Sequence, residues 1–351
     1  MDTIGSHEKY MLRCLDLAQK GLGMTYPNPL VGCIIVYKGK IIAEAYHQRA
    51  GESHAEVLAL KQIKDPSILD KSTLYVNLEP CSHFGKTPPC APLIVNTGIK
   101  RVVIAHRDPN PKVNGNGVEI LKNAGIEVYE GICEKEARFV NRRFLVNQTV
   151  GRPYIILKWA QSADGFIDID RTKTKLKGSY PISGKYSPFL THRWRREEQA
   201  IYAGFNTMLN DDPQLTVRKV GGNQPLAIIE DKDLTLPGDL RLFSQNIKIV
   251  IVNEKIDKQQ DNVRFLKVES IHDAEGVMRS LYRLGICSVM IEGGRKTLEK
   301  FLRQNLYDEI RVIQSKKIIG EGLPAPEVHV GYQHIYQFMD DEIKLYYRTF
   351  N

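Results

Sequence analysis

His54-Ala55-Glu56, then Glu79-Pro80-Cys81, and then Cys90 after Ser82-His83-Phe84-Gly85-Lys86-Thr87-Pro88-Pro89 form the stretch that decides the fold of the first half. It offers one imidazole and two thiols, with a carboxylate two residues from the imidazole. Zinc in hydrolytic sites takes three such protein ligands and leaves the fourth position to water, whose pKa falls to roughly 7. Glu56 is not needed as a ligand. His54 to Lys64 reads as a helix with Val57, Leu60 and Ile63 facing inward, and Thr73 to Leu78 as a strand ending at Glu79-Pro80. Ala91 to Asn96 reads as a helix and Arg101 to Ala105 as a strand. This order puts His54 at one helix start and Cys81 just beyond a strand, at the next helix start. Helix N-termini carry partial positive charge and favour thiolate over thiol. The expected metal site therefore lies between two helix ends over a sheet edge.

Working outward, Met11, Leu15, Ala18 and Leu22 recur at helical spacing, which predicts an amphipathic helix near 8–22. Val31 to Tyr37 and Lys40 to Tyr46 read as two strands joined by a Lys38-Gly39 hairpin turn. A boundary falls near Val150-Gly151-Arg152-Pro153, dividing the chain into 1–149 and 150–351. Beyond it, strands are expected at Tyr154 to Trp159, Ala200 to Ala203, Leu226 to Glu230, Lys248 to Asn253 and Ser288 to Glu292, with Glu309 to Gln314 and Ile343 to Thr349 as late strands. Helices are expected near 186–199, 273–284 and 296–303. Such alternation argues for a mostly parallel α/β sheet with antiparallel late strands.

A chain of 351 residues, 42% of them hydrophobic, can bury a core in each half. Met1 to Tyr10 has no apolar h-region, and no apolar run approaches the roughly 18 residues needed to span a bilayer. The expected location is the cytoplasm, with no membrane partner. Six cysteines are scattered without a disulfide-framework pattern, so metal ligation, catalysis or burial accounts for them. The net charge of +8 suits either nucleic acid or anionic small ligands. Basic residues are spread out, with only Arg193, Arg195 and Arg196 tightly clustered, which favours phosphorylated small molecules.

Zinc nucleobase deaminases carry H-x-E together with P-C-x-x-C. The first half matches here, while eight residues separate Cys81 from Cys90 instead of two. With that long loop stand Tyr26-Pro27-Asn28-Pro29-Leu30-Val31-Gly32-Cys33, Tyr46-His47-Gln48-Arg49-Ala50-Gly51 and Asp108-Pro109-Asn110-Pro111. Together they resemble the bifunctional riboflavin-biosynthesis deaminase/reductase family, the RibD family, over nearly all of 8–148. Weaker marks of the family's second half are Leu157-Lys158, Ser162-Ala163-Asp164-Gly165, Asn210-Asp211-Asp212-Pro213-Gln214-Leu215-Thr216-Val217-Arg218 and Glu292-Gly293-Gly294. Departures are Pro181 where Trp is common, Ala160 where Gly is common, and no Pro within Gln314-Ser315-Lys316-Lys317.

The resemblance implies a cytidine-deaminase-like three-layer αβα domain followed by a dihydrofolate-reductase-like α/β domain. It implies Zn2+ on His54, Cys81 and Cys90, with Glu56 as proton shuttle in the deamination of a phosphoribosylaminopyrimidinone. It also implies NADPH-dependent reduction of the ribosyl group to ribityl. Asn28 falls at a substrate position, with His47, Arg49, His83, Lys86, Thr87, Asp108 and Asn110 as further candidates. Ser179, Arg195, Leu215, Arg218 and Glu292 fall at substrate positions of the reductase, and Ala160, Pro181, Thr207, Asp211 and Gly294 at cofactor positions. Guanidinium forks at Arg195 and Arg218 suit the 5′-phosphate, and Lys158 is a polar group for the ring opening. Gly293-Gly294 follows an apolar strand and precedes a helix, an arrangement that leaves backbone N–H groups free for phosphate. No G-x-G-x-x-G follows a strand in this half, so a Rossmann reading has little support. The family expectation for assembly is a homo-dimer or tetramer.

Each feature also has a plainer reading. Glu56 can be a first-turn acid complementing the helix dipole. Asn28 and Asp108-Pro109-Asn110-Pro111 can be ordinary turns, and Gly293-Gly294 a tight connection. Competing functions are a deaminase with a degenerate or differently specific reductase half, a nucleic-acid base editor, and a zinc-stabilised structural module. The long Cys81–Cys90 loop with a reductase-length tail argues against the editor. Three ligands beside Glu56 argue against the structural module, because structural zinc closes with four.

Overall fold

The computed structural model describes residues 4–82, 88–110, 114–174 and 176–348; the candidates His83, Lys86 and Thr87, and Pro111, lie outside them. The chain divides into two compact units, one ending at Gly151 and one beginning at Arg152.

The first unit runs α1 (Ile4–Gln19), β1 (Gly32–Tyr37), β2 (Lys40–Tyr46), α2 (Ala55–Leu60), β3 (Ser72–Leu78), α3 (Cys90–Asn96), β4 (Arg101–His106), α4 (Asn116–Asn123), β5 (Glu127–Glu130), α5 (Glu134–Val140) and α6 (Arg142–Val150). Its sheet order is β2-β1-β3-β4-β5, with β1 antiparallel to β2 and β3, and β3, β4 and β5 parallel. Lys38 and Gly39 both take positive φ, as a two-residue type I′ hairpin turn requires. Strand side chains alternate between faces. Cys33, Ile35, Leu74, Val76, Val102 and Ile104 pack with residues of α2, α3 and α4, while Ile34, Val36, Tyr75, Val103 and Ala105 pack with α1 and α5. Three layers follow directly from that alternation.

Two local expectations change. The helix after His54 stops at Leu60 instead of running to Lys64, because Gln62 and Ile63 turn back with tight bonds to the carbonyls of Ala59 and Leu60. Ala55, Glu56 and Ala59 are its buried residues, while Leu60 and Ile63 pack only partly against the core. Among the described residues Cys81 is not at a helix start: it lies outside helix and strand beyond β3, and Cys90 opens α3.

The second unit runs β6 (Tyr154–Gln161), β7 (Phe166–Ile169), α7 (Ser187–Glu197), β8 (Ala200–Ala203), α8 (Phe205–Asp211), β9 (Leu226–Glu230), β10 (Ile249–Asn253), β11 (Lys258–Gln260), β12 (Val263–Lys267), α9 (Ala274–Arg283), β13 (Ser288–Ile291), α10 (Arg295–Arg303), β14 (Glu309–Gln314), β15 (Gly322–Pro324), β16 (His334–Phe338) and β17 (Asp341–Tyr347). The large sheet has the order β11-β12-β10-β9-β8-β13-β6-β14-β17-β16, and β7 pairs with β15 separately. From β12 to β14 neighbouring strands are parallel; β11, β17 and β16 are antiparallel additions at the edges. Strand β13 returns late in the chain to sit between β8 and β6. In open α/β sheets, ligands bind beyond the carboxyl ends of strands where the order reverses. The ends of β6, β8 and β13 are such a place.

Candidate active sites

In the first unit, His54 precedes α2 in extended conformation, and Cys90 opens α3. His54 Nδ1 lies 3.3 Å from Cys90 Sγ and 3.6 Å from Cys81 Sγ. The three donor atoms all lie within 4.8 Å of one another, the spacing of ligands around one small cation. Although Cys81 stands outside the helix, the Cys90 backbone N–H donates to its sulfur at 3.3 Å, so the first amide of α3 still favours its thiolate. The hydrogen bond from Cys90 pulls the Cys81 thiol down to about 4, while the same bond and burial push Cys90 up. A divalent cation held by both would let both ionise.

Glu56 is 3% exposed, and its Oε2 has no hydrogen-bond partner among the described residues. Burial raises its carboxyl above the ordinary range, and the Cys81 thiolate adds to that shift. A buried carboxylate oxygen without a partner beside one imidazole and two thiols fits a zinc-activated water and its proton shuttle. His54, Cys81 and Cys90 therefore suit zinc in residue type and spacing, with Glu56 left uncoordinated.

Asn28 reaches this cluster through His47. Its Nδ2 is 3.0 Å from His47 Nε2, and the His47 ring meets His54 edge-on at 5.5 Å. Burial lowers the His47 pKa and so favours the neutral ring; the Ser53 carbonyl can only accept, so Nδ1 donates to it, and Nε2 faces the Asn28 amide. The Asn28 carbonyl oxygen is then not the atom that His47 uses. Behind the turn, the Asn141 amide bonds both the N–H and the carbonyl of Leu30, and Asn77 bonds the Leu30 carbonyl and the Gly32 N–H. These two buried amides were not singled out in the sequence, because nothing local marks an asparagine that serves a backbone far along the chain. Arg49 is exposed, Asp108 is buried, and the Asp108 carboxylate accepts from the Asn110 N–H at 2.8 Å.

In the second unit, Glu292 leaves the end of β13 and meets Arg195 of α7 through two bonds, Nε to Oε1 at 2.7 Å and Nη2 to Oε2 at 3.1 Å. Lys158 of β6 lies 3.6 Å from the same carboxylate, and all three side chains are about one-tenth exposed. Burial works to raise the Glu292 carboxyl but is overcome by Arg195 and Lys158, which hold it at about 2. Lys158 is lowered, chiefly by burial. It is largely buried in β6 and not a solvated surface lysine. Arg195 also donates to the Thr216 carbonyl, whereas Arg218 donates to the Thr216 hydroxyl and has no carboxylate partner among the described residues. His192 accepts the Arg218 backbone N–H at 2.9 Å. It stands three residues before Arg195 on one helix, a spacing that could have flagged it. Leu215, just before Thr216, is buried with φ of 51°, a strained value for a branched side chain.

Thr207 and Gly294 come together: the Gly294 N–H donates to Thr207 Oγ1 at 2.8 Å. That N–H is therefore not free, contrary to the expectation of an open amide, because α8 supplies an acceptor within reach. The close approach continues at Gly204, where a Cβ would fall 2.1 Å from Thr297 Oγ1. Asp211, one turn beyond Thr207, pairs with Arg171 at 3.0 Å. Ala160 lies near the end of β6, opposite Ile313. Ser179 and Pro181 are exposed before α7; the Pro181 carbonyl accepts from Lys317. Neither has a side-chain hydrogen bond to Arg195, Arg218 or Glu292 among the described residues.

Residues 4–106 match the family described as the cytidine and deoxycytidylate deaminase zinc-binding region, and residues 153–338 match the RibD C-terminal domain. The chain is 44% identical over 329 residues to the riboflavin biosynthesis protein RibD of Aquifex aeolicus, covering 92% of this chain and 90% of that one. Among solved structures it is similar to Acinetobacter baumannii RibD, with a TM-score of 0.88, 32% identity, and coverage of 99% and 100% of the two chains. It is also similar to a diaminohydroxyphosphoribosylaminopyrimidine deaminase/5-amino-6-(5-phosphoribosylamino)uracil reductase from Thermotoga maritima, with a TM-score of 0.86, 37% identity, and coverage of 97% and 98%. A zinc-binding deaminase unit and a reductase unit, matched along nearly the whole chain, make this protein a member of the RibD family of bifunctional riboflavin-biosynthesis deaminase/reductases.

Proposed function

We propose that the unit within 1–149 deaminates 2,5-diamino-6-(5-phospho-ribosylamino)pyrimidin-4(3H)-one and that 150–351 reduces the resulting aminouracil's ribosyl group to ribityl. The observation that carries the first half is the three-donor cluster with the partnerless Glu56 oxygen beside it. His54, Cys81 and Cys90 hold Zn2+, which when bound supplies Lewis acidity and a water acidic enough to react near neutral pH. Glu56 takes one proton from the attacking water and hands it to the ring nitrogen, and then carries the proton of the newly formed hydroxyl to the departing amine. A carbon–oxygen bond forms, the carbon–nitrogen bond breaks, and ammonia leaves. Asn28, oriented by His47, hydrogen-bonds the pyrimidine.

In the second half NADPH, when bound, would supply a hydride for C1′. The bond from C1′ to the ring oxygen breaks, and that oxygen takes a proton. Lys158, with its pKa lowered by burial, is the donor beside Glu292. Arg195 fixes Glu292 toward the sugar, and Arg218, which has no carboxylate partner among the described residues, takes the 5′-phosphate. Ser179 and Leu215 complete the substrate contacts. Ala160, Pro181, Thr207, Asp211 and Gly294 line the cofactor.

This reading places the protein in the cytoplasm as a homo-oligomer, dimer or tetramer, with no nucleic-acid or membrane partner; light scattering tests the assembly. The function is tested by giving purified protein the diaminopyrimidinone phosphate with and without NADPH while following ammonia and NADPH absorbance. Ammonia in both arms and NADPH loss in the second is the expected result. Ammonia with no NADPH consumption would favour the degenerate-reductase alternative.

A further inference from the structure

Glu79 directly precedes Pro80-Cys81 and is 3% exposed. Its carboxylate accepts four backbone N–H groups. Oε2 takes Asp108 at 3.1 Å and Gly115 at 3.0 Å, and Oε1 takes Gly117 at 2.9 Å and Val118 at 3.2 Å. No lysine or arginine lies within ion-pair distance of it among the described residues, and these four amides are the hydrogen-bond donors that meet its carboxylate. Two of them belong to the first turn of α4, where the helix dipole favours an anion. A cap for α4 alone would need only those two. The Asp108 bond instead ties in the segment just after β4. The Glu79 N–H donates to the His106 carbonyl at 3.0 Å, holding the backbone of Glu79 against the end of β4. The α4 segment also presses on Pro80: a Cβ at Gly117 would fall 2.1 Å from the Pro80 carbonyl oxygen.

From this we infer that Glu79 is a positioning residue for the metal centre, locking the strand exit that delivers Cys81 onto the start of α4 and the Asp108 segment. The inference rests on the reading that His54, Cys81 and Cys90 hold zinc. Its chemistry is a matter of acceptor count. Glutamine has the same shape but only one acceptor oxygen, so either orientation of its amide turns an NH2 toward two N–H groups. Each such mismatch leaves buried donors unsatisfied. A lost outer-shell partner typically weakens metal affinity 10–100-fold.

The test compares wild type, Glu79→Gln and Gly117→Ala in the full chain. It measures zinc affinity by chelator competition, the visible spectrum of the Co2+-substituted protein, and NADPH oxidation on the deaminated substrate. We expect Glu79→Gln to lose about 10–100-fold in zinc affinity and to change the cobalt spectrum, while reductase turnover stays at wild-type level. Gly117→Ala, which keeps the carboxylate but displaces Pro80, should move the same two readouts in the same direction. Wild-type zinc affinity and cobalt spectrum in Glu79→Gln overturn the inference. Should Glu79→Gln fail to fold, Gly117→Ala decides: weakened zinc supports the proposal and unchanged zinc overturns it. A wild-type protein that binds no zinc would defeat the underlying metal reading instead.

Discussion

Arg195 and Glu292 face each other through two parallel hydrogen bonds, at 2.7 and 3.1 Å, each side chain about one-tenth exposed. Removing Arg195 leaves the largely buried Glu292 carboxylate with Lys158, at 3.6 Å, as its remaining ion-pair partner among the described residues, and breaking a buried pair costs up to about 3–5 kcal/mol. Arg195→Ala should therefore destabilise the second unit by several kcal/mol and abolish NADPH oxidation. Denaturant titration and reductase assays check both. Stability within about 0.5 kcal/mol of wild type would contradict the burial argument.

The same pair sets a pH dependence. Glu292 sits at about 2 in the folded chain against an ordinary value of 4.5. A depressed carboxyl pKa contributes stability that is complete above the unfolded value and is lost as pH falls toward the folded one. The contribution, roughly 3 kcal/mol at 1.36 kcal/mol per pKa unit, should drain away between about pH 4.5 and pH 2. Stability measured against pH in Glu292→Gln should be flatter over that window than in wild type. An unchanged slope would show that Arg195 and Lys158 do not hold the carboxylate.

Arg218 has a hydroxyl partner and no carboxylate among the described residues, so its charge is available to a phosphate. A lost charge-assisted bond is worth about 1.5–3 kcal/mol, or roughly 10–100-fold. Arg218→Ala should raise the reductase KM for the phosphorylated substrate by that factor and leave ammonia release unaltered. An unchanged KM would move the phosphate elsewhere.

Glu56→Gln preserves the volume beside the metal donors but cannot take up a proton. Zinc content should stay at one per chain while deamination falls about 100- to 10,000-fold, the usual range for a lost general acid–base group. Metal analysis beside an ammonia assay decides the point. Substantial turnover would remove the shuttle role.

The first unit was largely legible because its chemistry is local in sequence. The His54, Cys81 and Cys90 set needs only residue type and order, and the strand alternation around Ile34, Tyr75 and Val103 needs only period two. Cys81 was misplaced because Glu79-Pro80 ends a strand in the same way that a helix start often begins. Glu79, Asn77 and Asn141 were not legible, since their partners are backbone groups brought close only by folding. In the second unit the apolar parallel strands announced themselves. The exposed edge strands β11 and β16 did not, because they carry no apolar alternation to read. The Lys158–Glu292–Arg195 cluster joins three distant segments, and its pairing emerged only from the fold.

If two separate sites act in order on one substrate molecule, Glu56→Gln uncouples them. Supplied with the diaminopyrimidinone phosphate and NADPH, this variant should neither release ammonia nor oxidise NADPH. Supplied with the already deaminated aminouracil phosphate, it should oxidise NADPH at the wild-type rate. NADPH oxidation on the diamino substrate without ammonia release would contradict the order of steps, and failure on the deaminated substrate would contradict the independence of the two sites.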